Sequence, residues 1–506
     1  MRPLTAGLLF WCGLLHGGVV SGIVLEQLSG VPLARSRIRL DRVDTTGRVQ
    51  SSSVIAGRSG QFTFTNVPAG LYVLNAMREG YAAIAFGQRR PQGTAPPFQV
   101  DRDTNLFAEL RLRRLGVLTG RVLDENRVGI RRVSVHAYSA NPPFRSVGHG
   151  ETDDRGVFRI FGLVDGKYRV RSEPFRHDDG LMVLATYAPE TVSLREGAVY
   201  PTRLDTETTD IDISPLPGVL ISIGGLVSCA PLTNMSGPVN ITVSFDSGRR
   251  EARVPCGGSY RFDNLPPGNF ELFGADPEIK VATFQERNIQ QTTFNAHLDL
   301  RPTPVPELYL RDEAARSTVR TRVTLTLRRV DLAGVAESRT VTMDEQARVP
   351  MAPGWWEVSG TMPAPYYLSG ASPTYRQMEP RPSAHPDWFE FLLTDRSSSV
   401  GLRIANQSGN LAGKVMENQK PVAGIPVFLL PVTAETRRRA GGQRTIAATS
   451  DGEFRFEGLP PGDYRVLASF DYDDVDDEVM FAANALAIKV EAGATARTDL
   501  APYLAP

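Results

Sequence analysis

Chemistry in a chain starts with residues able to take, give or hold a proton or a metal. This one has six histidines, at 16, 136, 149, 177, 297 and 385. None stands in an HxxE or HExxH spacing, so the side chains that would hold a catalytic zinc from one helix face are absent. The sequence also has no GxSxG elbow and no GxxxxGK[ST] phosphate loop. No catalytic residue is nominated and no cofactor is expected. Two groups of acids are weighed instead. The run Asp471-Tyr-Asp-Asp-Val-Asp-Asp-Glu478 offers hard oxygens from Asp471, Asp473, Asp474, Asp476 and Asp477 that suit Ca²⁺. It lacks the glycine and fixed spacing of a calcium loop, and a solvated loop is the plainer reading. His149, Glu151, Asp153 and Asp154, with His177-Asp178-Asp179 further on, are also close in sequence, and exposed turns explain them without a metal.

Binding chemistry has one richer candidate. Trp355, Trp356, Tyr366, Tyr367, Trp388 and Phe389 gather three of the four tryptophans within 35 residues. Exposed flat rings stack on sugars or anchor a protein partner. Trp355 and Trp356 are neighbours in a strand and must face opposite sides. The plainer reading makes Trp356 a core aromatic and packs the tyrosine pair on a loop. Cys229 and Cys256 are the cysteines left once Cys12 is assigned to an export segment, and a local disulfide is expected in an oxidising compartment. Asn234, Asn240 and Asn406 head glycosylation sequons, which matter only in a eukaryotic host.

The bulk properties exclude other classes. Lys+Arg and Asp+Glu both number 56, so nothing points to nucleic acid. Only five cations are lysine, which reads as codon usage in a GC-rich bacterial genome. Arg2 followed by the apolar Leu8–Leu15 and small residues reads as a signal peptide over 1–20, cleaved between 17 and 22. No later stretch is long enough for a membrane helix. A secreted, periplasmic or cell-surface location is expected.

These residues must be positioned by something, and the chain repeats itself. The clearest copy is Asp451-Gly-Glu-Phe-Arg-Phe-Glu-Gly-Leu-Pro-Pro-Gly-Asp-Tyr-Arg-Val466. Others run over 154–170, 258–272 and 60–73, with a degenerate one at 347–358. The motif glycines are Gly70, Gly166, Gly268, Gly354 and Gly462, at gaps of 96, 102, 86 and 108 residues, each the size of a small sandwich domain. Phe454 and Phe456 alternate with Glu453, Arg455 and Glu457, giving one apolar and one solvated face. Pro461-Gly462 suits the centre of a type II turn, with glycine at positive φ. Helical periodicity is nearly absent, with Val479–Ala487 the one short candidate.

The pattern G-x-V, then D-x-G-x-F-x-F-x-x-L-P-P-G-x-Y-x-V, resembles the carboxypeptidase regulatory-like family. The resemblance implies an all-β fold of tandem Greek-key β-sandwich domains, transthyretin-like and Cna-B-like, as beads on a string. The expected segments are 21–114, 115–216, 217–302, a degenerate 303–406, and 407–506. It further implies a non-catalytic scaffold or interaction protein of the bacterial cell exterior. Its partner would be an extracellular protein or a polysaccharide, the latter through the aromatics of the fourth segment.

Overall fold

The structure is a computed structural model that describes residues 17–43, 49–88, 97–140, 144–177, 180–194, 196–229, 237–246, 248–278, 280–373, 385, 387–472 and 474–504. The proposed export segment therefore lies outside the described residues up to position 16. The fold is all-β. Its compact units are Met1–Gly116 with Arg203–Thr206, and Val117–Thr202 with Glu207–Pro506.

The strands form pairs of sheets, each pair closing over one apolar core. These pairs are called sandwiches I to V here. In sandwich I the strand Gly18–Glu26 lies between Gln61–Val67, antiparallel, and Asn105–Leu112, parallel. The opposing sheet centres on Arg37–Val43 and Gly70–Met77. Val20, Val24, Phe62, Phe64, Tyr72 and Leu74 meet between the two. The same plan recurs around Gly116–Val122 in II, Ile221–Ser228 in III, Glu307–Asp312 in IV and Gly409–Lys414 in V. Alternating apolar residues drive this, since only one face of each strand leaves water.

The motif residues have concrete tasks. Gly22, Gly120, Gly225 and Gly413 sit where the first strand meets the last. A Cβ at each would fall on the carbonyl of Ala108, Ile211, Ala296 or Thr498, so the parallel pairing requires glycine there. Tyr72, Tyr168 and Tyr464 each donate their hydroxyl to a carbonyl four residues back: Pro68 (2.8 Å), Val164 (2.8 Å) and Pro460 (2.6 Å). This bond ties the turn to the buried ring it precedes.

One sequence expectation needs correcting. Gly70, Gly166, Gly268, Gly354 and Gly462 are each the first residue of a strand. Gly462 has φ 156°, far from the roughly +80° of a type II turn. The left-handed residue stands four positions earlier: Asn66, Gly162, Asn264 and Gly458, with φ 55°, 84°, 59° and 66°. In I, III and V the strand register slips at this point, so the residue marks a bulge that bends the strand before the turn. Helix content is small. α2 (Asp477–Ala482) overlaps the expected segment only at 479–482, and Leu486–Val490 is a strand rather than helix, whereas α1 (Ala434–Ala440) was not foreseen.

Candidate functional site: the aromatic repeat and the acidic loop

Sandwich IV carries Trp355 and Trp356 on strand Gly354–Thr361 and Phe389 on its antiparallel partner Phe389–Leu393, with Trp388 just before the latter, while Tyr367 opens the strand Tyr367–Pro373 and Tyr366 precedes it. Trp356 faces inward and is 0% exposed. Its Nε1–H donates to the Ala352 carbonyl, four residues back, at 2.9 Å. It thus does what tyrosine does in I, II and V. Trp355 faces outward, as alternation demands, yet is only 5% exposed. Its Nε1–H donates to Glu286 Oε1 of sandwich III at 2.9 Å. Neither indole offers a free face for a ligand, because the inner one fills the core and the outer one meets a neighbouring sandwich. Tyr367 is buried, and that burial pushes its phenol pKa up. Tyr366 and Phe389 are partly buried and pack on the core of IV. Trp388 is half-buried with the Arg328 guanidinium 3.6 Å above its ring. The structure does not gather these aromatics into one platform.

It gathers charges there instead. Arg328, Glu357 and Glu390 stand opposite one another on three adjacent strands. Glu357 is 0% exposed and accepts from Arg328 Nη2 at 2.6 Å and from the His385 backbone N–H at 3.2 Å. Burial, then the Arg328 charge, lowers the His385 pKa, against the opposing pull of Asp387 and Glu357. The imidazole is therefore mainly neutral at pH 7, and its ring lies 5.7 Å from that of Trp388. Sequence reading missed Arg328, Glu357 and Glu390. Their signal was the alternation W-E-V and F-E-F, which marks outward positions without saying that a neighbour covers them.

The edge of IV toward III is built the same way. Asp331 is buried and accepts from Ser244 Oγ at 2.7 Å and from Arg249 Nε and Nη2 at 2.9 and 2.6 Å. Glu271 accepts the Leu332 N–H at 3.0 Å. Arg329 lies 3.7 Å over the Phe273 ring, and burial, partly offset by Asp331, brings its pKa down to about 10. Phe273, Ala275, Ala282 and Ala352 form a small apolar cluster beside these bonds. A groove of about 500 Å³ runs between the two sandwiches. Its side chains are largely spent on internal bonds: Arg301 spans it to Asp395 at 3.1 Å, and Gln285 donates to the His297 carbonyl at 3.0 Å.

The acidic loop likewise disperses. Asp476 caps α2, accepting from Val479 N–H at 2.9 Å, and also meets Lys167 Nζ at 3.0 Å. Asp477 pairs with Arg437 of α1. Asp474 accepts the Val475 N–H at 3.1 Å, and Asp471 is buried with its own N–H donated to Ser469 Oγ at 3.0 Å. Asp473 lies outside the described residues. Asp153 accepts the N–H groups of Arg155 and Val157 at 2.9 and 2.8 Å, the task of a turn aspartate, and these bonds lower its pKa. His149 stacks on His136 across the strands, ring centroids 5.6 Å apart. Asp178 and Asp179 are not among the described residues. Within those residues, no three His, Cys, Asp or Glu side chains are arranged to hold a metal ion. Cys229 and Cys256 are joined by a disulfide packed against the core of III. No helix among the described residues is long and apolar enough to cross a membrane.

No protein-family model and no curated protein matches the chain. Solved structures do resemble it. The minor pilin GBS52 of Streptococcus agalactiae is 14% identical, with 40% of this chain and 97% of that one covered and a TM-score of 0.26. The major pilin BcpA of Bacillus cereus, as its D312A variant, is 10% identical over 77% of this chain and 100% of that one, with a TM-score of 0.16. Two B repeat units of the collagen-binding protein of Staphylococcus aureus are 10% identical over 77% and 99%, with a TM-score of 0.14. At such TM-scores these likenesses assign neither ligand nor partner, and the fold class rests on the chain's own strands and sheets.

Proposed function

We propose that this chain is a non-catalytic scaffold of the bacterial cell exterior, which joins β-sandwiches in series and presents their outer surfaces to an extracellular protein. One observation carries the reading: outward-facing side chains are spent on joining sandwiches. Trp355 bonds Glu286, and Asp331 bonds Arg249 and Ser244. The apolar start of the chain and the disulfide support export to an oxidising compartment. The motif's likeness to the carboxypeptidase regulatory-like family is in keeping with such a role.

A polysaccharide partner is the rival reading, now resting on the half-buried Tyr366 and Trp388. The deciding experiment is retention of the purified chain on insoluble and gel-embedded polysaccharides, beside a Tyr366→Ala/Trp388→Ala variant checked for folding. No retention is expected. Retention that the folded variant loses would replace the scaffold by a carbohydrate-binding protein.

A further inference from the structure

Lys167 and Asp476 are 309 residues apart, yet their side chains meet at 3.0 Å. Lys167 is the second residue of strand Gly166–Ser172 in sandwich II, beside the motif glycine. Its ammonium also lies 2.9 Å from Glu478 in the first turn of α2, in sandwich V. The hydrogen bond to Glu478, then that to Asp476, holds the lysine pKa above its ordinary value.

The other joints of the larger unit are of a different kind. Sandwich II receives the segment leading to III through Leu184 N–H to the Leu216 carbonyl (2.9 Å) and Gly218 N–H to the Met182 carbonyl (3.0 Å). III and IV share the buried Asp331 and Arg329 bonds described above. IV and V are tied by Ser408 N–H to the Pro365 carbonyl at 3.1 Å, and α1 packs on the strand Tyr367–Pro373. Contacts therefore run from II through III and IV to V, and Lys167 returns from V to II. The first three joints are backbone bonds or buried groups. The return joint has side chains 39%, 51% and 64% exposed at Lys167, Asp476 and Glu478. Exposed ion pairs are weak and yield to salt, whereas buried ones are screened far less.

We infer that Lys167 and the acidic first turn of α2 form an electrostatic latch, which closes the cycle of sandwiches II to V and releases it as ionic strength rises. This assigns the acidic loop a conformational task within the chain. Two exposed pairs bias the closed-to-open ratio by up to about tenfold, enough to switch a balanced joint and too little to lock it.

The test uses the full chain with spin labels on cysteines introduced at the exposed Glu151 in II and Glu491 in V, read as an electron–electron distance distribution. At low salt a narrow distribution is expected. It should broaden toward longer distances at 1 M salt, where the screening length falls to about 3 Å. Lys167→Glu should do the same at low salt. Adding Glu478→Lys to Lys167→Glu should bring the short distance back in part, while leaving Asp476 to cap α2. A distribution unmoved by both salt and Lys167→Glu overturns the latch. So does one that salt moves and Lys167→Glu does not, or one that Lys167→Glu broadens and the charge swap fails to narrow.

Discussion

At the residue scale, Tyr464 and Trp356 show how one task can be met by different atoms. Each buries a ring and returns one donor to a carbonyl four residues back. Tyr464→Phe should keep the packing and lose the bond, lowering stability by about 1 kcal/mol in urea denaturation. Trp356→Ala should cost about 3–5 kcal/mol, because it also leaves a cavity. Glu26 makes a pH prediction for the smaller unit. Its carboxylate bonds Arg114, Ser29 and Tyr81, with Arg114 the largest cause of a pKa below the ordinary 4.5. A carboxylate lowered in the fold stabilises it above the unfolded pKa, and this is lost as pH falls through the folded one. The melting temperature of this unit should therefore drop as pH goes below about 4.5, and Glu26→Gln should flatten that part of the profile.

At the element scale, the two-residue period placed the strands and their inward aromatics. The asparagine or glycine before L-P was visible in the motif but not read as its left-handed residue, since Pro-Gly is the stronger turn signal. Gly458→Val should thus cost roughly 1–2 kcal/mol, measured by thermal unfolding, as a branched side chain resists φ 66°. α1 escaped notice because Ala-Glu-Thr-Arg-Arg-Arg-Ala has no apolar stripe. Its ends carry the signal: Thr433 caps the start and Gly441, at φ 73°, the finish. The Cys229–Cys256 bridge closes 27 residues within sandwich III. Replacing both with serine should lower stability by about 3 kcal/mol in guanidinium denaturation, because a closed loop of this length narrows the unfolded ensemble.

At the scale of the larger unit, sandwiches III and IV are joined through Asp331, which accepts from Ser244 and Arg249. Asp331→Ala would leave Arg249 without its buried partner and Ser244 without its acceptor. It should cost about 3–5 kcal/mol and make the III–IV junction newly sensitive to limited proteolysis. An unchanged digestion pattern would mean that the apolar cluster around Phe273 suffices. The sequence by itself determined the all-β character, the strand-turn-strand motif, the residues facing each core, and the disulfide pair. These follow from local rules: alternation, turn chemistry, and two thiols in one repeat. Only the tertiary structure decided what lies against the outward faces. Alternation says that Trp355 and Glu357 leave their own core, but whether they then meet water, a ligand or another sandwich depends on residues far away in the chain, such as Glu286 and His385. Burial is a property of the assembled fold rather than of one strand, and here it set the outward Trp355 against Glu286 of sandwich III.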